Sequence, residues 1–304
     1  MRCWHHVAMT ARSHDPLADA SASGVSIPVA ARVHLAHAVV QHLAEKAGVD
    51  LLHIKGPALA TGLRPASRGS SDVDVLVRPS HLHRLIAALE AVGWDKRTDF
   101  ATGSVFAHAA NWWHDDWGWV DVHVHWPGVR LEPEAAYDVW STDAGRQPIA
   151  HVPCPVPSRT AQLLVLVLHA ARSTDRADVD YAWSRADGDQ RTAARLLART
   201  LDAEVALAAA LGELEQFRHD RSYALWRHLS EGGESRAAEW RARFRAAPGP
   251  RARARLVAQS VRVNRDHLGL ELGRPPTRSE IRQRQRVRLR RAWAEVTALW
   301  GDRG

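Results

Sequence analysis

The segment Asp72-Val73-Asp74-Val75-Leu76-Val77 alternates without a break. Successive side chains of a β-strand point to opposite faces, so Val73, Val75 and Val77 would share one face and Asp72 and Asp74 the other. A strand of this kind needs a sheet whose valine face is sealed by helices. Its other face must accommodate two carboxylates about 7 Å apart along the strand. Like charges at that separation need something positive between them. A divalent cation, with its preference for carboxylate oxygens, is the simplest solution. The plain alternative is a half-solvated sheet surface, where alternating valine and aspartate also occurs.

The pattern returns from Trp117 to Trp126. Trp117, Trp119, Asp121, His123 and His125 fall on one face, and Val120, Val122, Val124 and Trp126 on the other. A β-like run from Ser104 to Trp113 precedes it, and His114-Asp115-Asp116 reads as the turn of a hairpin. Laying Trp117–Trp126 beside Asp72–Val77 with the valines together brings Asp121 to Asp72 and Asp74. Three carboxylates on one sheet face can hold two divalent ions ~3.5–4 Å apart, the geometry of in-line phosphoryl displacement. His123 and His125, with His114, Asp115 and Asp116, form an alternative set suited to a transition metal, which would make the chain a metal-dependent hydrolase.

Upstream, Leu51–Ile54 reads as a strand running through Lys55-Gly56 into a short helix, Pro57–Gly62. Backbone N–H groups at such a start bind phosphate, and Gly56 permits close backbone approach. Lys55, one of only three lysines, adds a point charge for a triphosphate. Arg68-Gly69-Ser70-Ser71 leads directly into Asp72 and offers further phosphate donors. Arg68 equally suits a loop salt bridge, and Ser70 and Ser71 suit turn or capping roles. Elsewhere, residues 27–47 and 80–92 read as helices, the second capped by Ser80 and stopped by Gly93. Residues 133–139 read as a helix and residues 147–152 as a strand. The run Pro153-Cys154-Pro155-Val156-Pro157 is a natural boundary. Beyond it Ser158 can cap a helix from Thr160 to Ala171, and Thr277-x-x-Glu280 forms a capping box for the last helix. The expected organisation is a flexible leader (residues 1–26), a mixed α/β domain (residues 27–157) and a helical, Arg-rich C-terminal region (residues 158–304).

Lys55-Gly56, then Arg68-x-x-x-Asp72-x-Asp74-x-Leu76-Val77, then a Val-Asp-Val-His strand ending in His125-Trp126, resembles the uncharacterised nucleotidyltransferase family of the polymerase-β-like superfamily. The resemblance spans residues 30–185, in round numbers. It implies an α/β (α+β) fold, a minimal nucleotidyltransferase mixed sheet flanked by helices and followed by an all-α region. It implies that Asp72 and Asp74 are metal ligands and that Asp121 is the third carboxylate; the phosphate donors Lys55, Gly56, Arg68, Ser70 and Ser71 would then lie on the nucleotide side. Where the superfamily usually opens with Gly-Ser after a strand, this family has Lys-Gly, as here. The family pattern often reads acid-x-His-Trp. In this chain His123 stands two residues before His125, and Asp121 two before that, so the third ligand is Asp121 or His123. His169 matches a position where the family often has histidine. With His123, His125 and Trp119 it is a candidate for the substrate side. The implied reaction moves a nucleoside monophosphate from an NTP such as ATP to an acceptor, with Mg²⁺ (or Mn²⁺) as cofactor and pyrophosphate as product. Catalysis of this kind is mostly positioning and charge neutralisation.

Composition bounds the remaining possibilities. With 45% apolar and 25% charged residues, the chain can fold around a core. Two cysteines, Cys3 and Cys154, exclude a disulfide scaffold and a multi-cysteine zinc site and suit a reducing cytoplasm. The longest apolar run, Leu163–Leu168, falls far short of the ~18 residues of a membrane span. Residues 236–304 carry 18 arginines against 6 acidic residues, whereas the whole chain is at +7, so the basic character belongs to the tail. A tail of this kind can be a solvated helical face, or the binding surface of a non-enzymatic nucleic-acid-binding protein. The carboxylate set separates the readings, because a pure binder has no use for acids that repel phosphate. The acceptor of a transferase could be a protein, an RNA or a small molecule.

Overall fold

The computed structural model describes residues 27–103, 106–233 and 235–301. The leader proposed at residues 1–26, and Ser104 at the start of the proposed hairpin, lie outside the described residues. Helix α1 (Val29–Ala47) is followed by strand β1 (Leu51–His53), a 3₁₀ turn at Gly56–Ala58 and strand β2 (Asp72–Val77). A second 3₁₀ turn, Pro79–His81, runs into α2 (Leu82–Ala91), then β3 (Asp95–Thr98), the short α3 (Phe100–Gly103), β4 (Ala109–His114) and β5 (Gly118–His123). The sheet has the order β1-β2-β5-β4-β3. Strands β2 and β5 are parallel and every other neighbour pair is antiparallel. Parallel neighbours need a long crossover, and α2 with the β3–β4 hairpin provides it.

The register of the parallel pair follows from the alternation. Val73 lies opposite Val120 and Val75 opposite Val122, so Asp74 lies opposite Asp121. The valine face is sealed by Ala36, Val40 and Ala44 of α1 and by Leu85 and Leu89 of α2, with Trp94 and Trp112 completing that core. Burying a Val or Leu side chain contributes roughly 1.5–3 kcal/mol, and a slip of one residue would turn the valines outward and the acids inward.

The alternation fails at both ends of β5. The strand begins at Gly118, whose φ is +80°, so Trp117 before it packs against the valine-face core rather than beside the acids. It ends at His123, and the chain then bends, so Trp126 is enclosed on the carboxylate side with its ring 5.0 Å from His123. Ser80 is not the cap of α2. Its N–H and Oγ both donate to Glu134, at 3.0 and 2.9 Å. The stretch β3, Asp95-Lys96-Arg97-Thr98, has no apolar alternation because it is an edge strand with mostly exposed side chains.

After α4 (Pro133–Ser141) comes a two-stranded ribbon of β6 (Gly145–Ile149) and β7 (Val152–Val156). The proline-rich stretch is therefore β7 rather than a bare linker. Every strand of a two-stranded ribbon is an edge, where proline is tolerated. Positive φ at Ala150 and His151 makes the tight turn between the two strands.

From α5 (Arg159–Ala170) onward the chain is helical, with Ser158 Oγ accepting the Ala161 N–H as its cap. A π turn (Val179–Trp183), α6 (Gly188–Thr200), α7 (Glu204–Leu211), a 3₁₀ turn (Leu214–Phe217), α8 (Tyr223–Glu231), α9 (Arg236–Ala246), α10 (Pro250–Val261), α11 (Arg265–Leu272) and α12 (Arg278–Gly301) follow. The Thr277–Glu280 capping box is present. Thr277 N–H donates to Glu280 Oε2 at 2.7 Å, and Glu280 N–H donates to Thr277 Oγ1 at 3.3 Å. Helix α5 buries Leu163 through Leu168 without a gap, so it is central rather than amphipathic. Its core joins Leu52, Ile54, Leu76 and Trp126 from the sheet to α7 and α8. Gly128 lets this happen: its φ is +98°, and a Cβ there would lie 2.5 Å from Ala206 of α7. Among the described residues, no helix is long and apolar enough to cross a membrane.

Leu164 is fully buried between sheet and helices. Leu164→Ala should destabilise the fold by about 2–5 kcal/mol, measured as a lower urea midpoint of one cooperative transition seen by both far-UV circular dichroism and tryptophan fluorescence.

Candidate active site

The site is assembled on the acid face of β2 and β5. Ile54 N–H donates to the Asp74 carbonyl at 3.1 Å, which ties the end of β1 to β2 and delivers the next residue to the acids. Lys55 Nζ stands 2.9 Å from Asp74 Oδ1 and 5.7 Å from the centre of the Trp126 ring. Gly56 then turns with φ +61°, and a Cβ on it would sit 3.0 Å from Ser70 Cβ and Oγ. Only glycine allows the Lys55 turn to close on Ser70 in this way. Ser70 Oγ lies 3.1 Å from Asp72 Oδ1 and 3.0 Å from the Asp72 carbonyl, so Ser70 holds the outermost acid.

Beneath the turn lies a buried histidine pair. Gln41 Nε2 donates to Glu45, so Gln41 Oε1 is free to accept from His53 Nε2 at 3.2 Å. The His53 Nδ1 then accepts from His37 Nδ1 at 2.7 Å. Burial pushes His37 down to about 4, which keeps the relay neutral.

Asp74 is enclosed, and His123 Nε2 donates to its Oδ1 at 2.9 Å. Asp121, directly opposite, accepts from Asn111 Nδ2, and Thr98 Oγ1 in turn bonds Asn111 Oδ1. Asp74, Asp121 and His123 each offer one ligand atom, all within 4.8 Å of one another. Asp72 lies one step out along β2, opposite Trp119.

The electrostatics divide the acids. For Asp74 burial opposes ionisation, but the Lys55 ammonium and the His123 hydrogen bond outweigh it and hold the group well below the usual carboxylate range. Burial, followed by the charges of Asp74 and Asp72, pushes Asp121 up to about 8. Burial and Asp74 also raise Asp72. Burial lowers His123 despite its bond to Asp74. Its Nδ1 is enclosed with no hydrogen-bond partner among the described residues. A cluster in which one carboxylate stays protonated near neutrality lacks positive charge, and a donor set of carboxylate oxygens with one imidazole suits a divalent cation. The residues present therefore fit a divalent cation.

The other expected residues are spread around this centre. The Arg68 guanidinium is on Asp175 at 2.9 Å and Asp178 at 3.5 Å, and Asp178 is also held by Arg64 at 2.7 Å. Ser71 is exposed. Trp119 leans on Trp113, ring centres 5.0 Å apart. His125 is half-buried with its pKa lowered by burial, and His169 at the end of α5 lies 6.4 Å from Trp126. Asn111, Thr98, His108 and Arg172 join the site without having been anticipated. Asn111 had a signal, a lone amide in a β-like run on the acid face. The others had none, since their role depends on which elements meet.

Residues 29–217 match the model of the uncharacterised nucleotidyltransferase family. This is more than half of the chain, which therefore belongs to that family of transferases. Solved structures that align with it include the following three. The solution structure of the antibiotic-resistance factor ANT(2'')-Ia shares 16% identity at a TM-score of 0.36, covering 61% of this chain and 95% of that one. ANT(2")-Ia in complex with adenylyl-2"-tobramycin shares 17% at 0.37, covering 61% and 98%. The lincosamide antibiotic adenylyltransferase LnuA, lincomycin-bound, shares 16% at 0.30, covering 51% and 90%. Among curated proteins no match is found.

Asn111 orients Asp121 from outside the ligand set. Partners of this kind are worth about 10–100-fold in metal affinity, so Asn111→Ala should weaken Mn²⁺ binding by that factor in calorimetric titration while leaving the melting temperature of the metal-free protein nearly unchanged.

Proposed function

We propose that this protein is a divalent-metal-dependent nucleotidyltransferase that moves a nucleoside monophosphate from an NTP to an acceptor hydroxyl, releasing pyrophosphate. The observation that carries the reading is the parallel register that sets Asp74 against Asp121, with Lys55 on the same carboxylate. Asp72, Asp74 and Asp121 would hold Mg²⁺ or Mn²⁺, with His123 as the nitrogen ligand of the inner trio. A bound ion supplies charge neutralisation and polarises phosphoryl oxygens. The chain's own residues would do the rest. Lys55 is placed to move from Asp74 to a phosphate oxygen once a cation takes over the carboxylate. The backbone at Gly56 and the Ser70 hydroxyl line the same turn and would receive the triphosphate, with Ser71 and Arg68 at its edge. Asp121, held by Asn111 and kept ionised by a bound cation, would orient the acceptor hydroxyl and accept its proton. His125, Trp119 and His169 border this centre and are assigned to the substrate side. ATP with Mg²⁺ is the first pair to test. A buried free thiol at Cys154 suits a reducing compartment, and we place the reaction in the cytoplasm.

The test is mass spectrometry of candidate acceptors, and of the protein itself, after incubation with each NTP and Mg²⁺. Transfer should appear with the wild type. Asp74→Asn should lower it at least about 100-fold without loss of fold. Equal Mg²⁺–NTP binding and turnover by the two proteins would sink the proposal.

A second reading concerns the acceptor. Arg278, Arg282, Arg286 and Arg290 of α12 are exposed at four-residue intervals, which places them along one row of the helix. RNA is the acceptor that such a row would hold. Its binding should weaken steeply between 50 and 200 mM salt, by about 10³-fold or more if 6 or more phosphates are engaged. A flat response in a filter-binding assay would remove RNA from the candidates.

A further inference from the structure

Several arginines that pack into this protein sit on carboxylates. Arg64 holds Asp178 at 2.7 Å, Arg78 holds Glu134 at 3.0 Å and Asp138 at 2.9 Å, and Arg130 holds Asp202 and Asp220 at 2.7 and 2.8 Å. Others, such as Arg191, donate to backbone carbonyls, whereas Arg172, two residues beyond α5, meets a histidine. Its side chain is half-buried and its Nε is sealed from solvent without a hydrogen bond. Its Nη1 donates to His108 Nε2 at 2.9 Å. Among the described residues, no carboxylate makes an ion pair with it.

The chemistry of that one bond is informative. A guanidinium has only donors and stays charged, so His108 Nε2 must be the accepting nitrogen and the imidazole is neutral. Burial and the Arg172 charge both hold His108 in that state. A neutral acceptor orients a guanidinium but does not balance its charge. Asp74 and Asp121 favour the Arg172 charge from beyond ion-pair distance, but burial outweighs them, and a buried charge with no counter-ion in contact is costly. His108 is itself fixed in place. Its carbonyl accepts the Val124 N–H at 3.0 Å just past β5, and its ring lies 5.3 Å from that of His123. Arg172 therefore stands on the His123 side of the acid row, with Lys55 on Asp74 and Ser70 on Asp72 beyond it.

We propose that Arg172, oriented by His108, is an oxyanion-binding residue of this site, and that it takes an anionic oxygen either from the phosphates of the nucleotide or from an acidic group on the acceptor. His108 is then a positioning residue. Only the origin of the anion rests on the nucleotidyl-transfer reading. The unpaired guanidinium does not.

The test uses the full chain and two probes, the Mg²⁺ complex of α,β-methylene-ATP and inorganic phosphate, each titrated by calorimetry and by ligand-induced change in melting temperature. Arg172→Gln keeps bulk and removes charge, Arg172→Lys restores a cation, and His108→Leu removes the accepting nitrogen. Arg172→Gln should weaken at least one probe by about 10-fold or more, Arg172→Lys should recover part of this, and His108→Leu should shift it in the same direction by less. Weakened nucleotide binding assigns the anion to the triphosphate. Weakened phosphate binding with the nucleotide unaffected assigns it to the acceptor. If Arg172→Gln binds both probes as the wild type does, and only its melting temperature without ligand changes, Arg172 merely offsets Asp74 and Asp121 and the proposal is overturned. Failure of the wild type to bind the nucleotide at all would count against the transfer reaction, and the phosphate titration would still decide the role of Arg172.

Discussion

The parallel pairing of β2 with β5 is the constraint on which the rest depends. Once Val73 and Val75 face Val120 and Val122, Asp74 can only face Asp121. The energy for this arrangement comes from the opposite side of the sheet. Helices α1 and α2 bury the valines, and that burial stabilises the fold strongly enough to hold carboxylates together that repel one another. The helical region then closes over the acid face. Leu76, on the same face as the acids, and Trp126 belong to the core around α5, so the cluster is walled on the side where the sheet meets the helices.

Within that enclosure the charges are arranged unevenly. Asp74 is well supplied, with an ammonium and an imidazole on one oxygen. Asp121 has only the Asn111 amide and is the acid that gives way to a proton. Lys55 is engaged on Asp74 and Arg172 lies beyond His123, and among the described residues no cation makes an ion pair with Asp72 or Asp121. The arrangement is costly for a protein with nothing bound, and in the proposed reaction a cation and the phosphates of the substrate would offset that cost. Active sites accept such costs because the charges of the substrate complete them.

Several features of the chain could be read directly. The β2 strand is the alternating segment from Asp72 to Val77, residue for residue. The pairing of Asp74 with Asp121 follows from matching valine to valine. Lys55-Gly56 beside Asp72-x-Asp74 pointed to a family that residues 29–217 then matched. The caps at Ser158 and at Thr277-x-x-Glu280 are local hydrogen-bond chemistry, and they form where the residues stand. Local patterns stopped being reliable where strands end. Trp117 and Trp126 leave the faces that alternation assigned to them because β5 is only six residues long and a glycine opens it. Strand β3 was invisible because an exposed edge strand needs no apolar pattern.

The amino-acid order carries what periodicity can express: which face of each strand is apolar, where helices start, and which acids can share a side. These are local consequences of backbone geometry, and they hold whatever the strand's neighbours are. Long-range packing decided the rest. It placed Arg68 on Asp175 and Asp178, made His123 a partner of Asp74, and set Arg172 against His108. Each of these depends on two segments distant in the chain arriving within about 3 Å of each other. Nothing in the residues on either side of a lone arginine says whether an acid, a histidine or a substrate will be there to meet it.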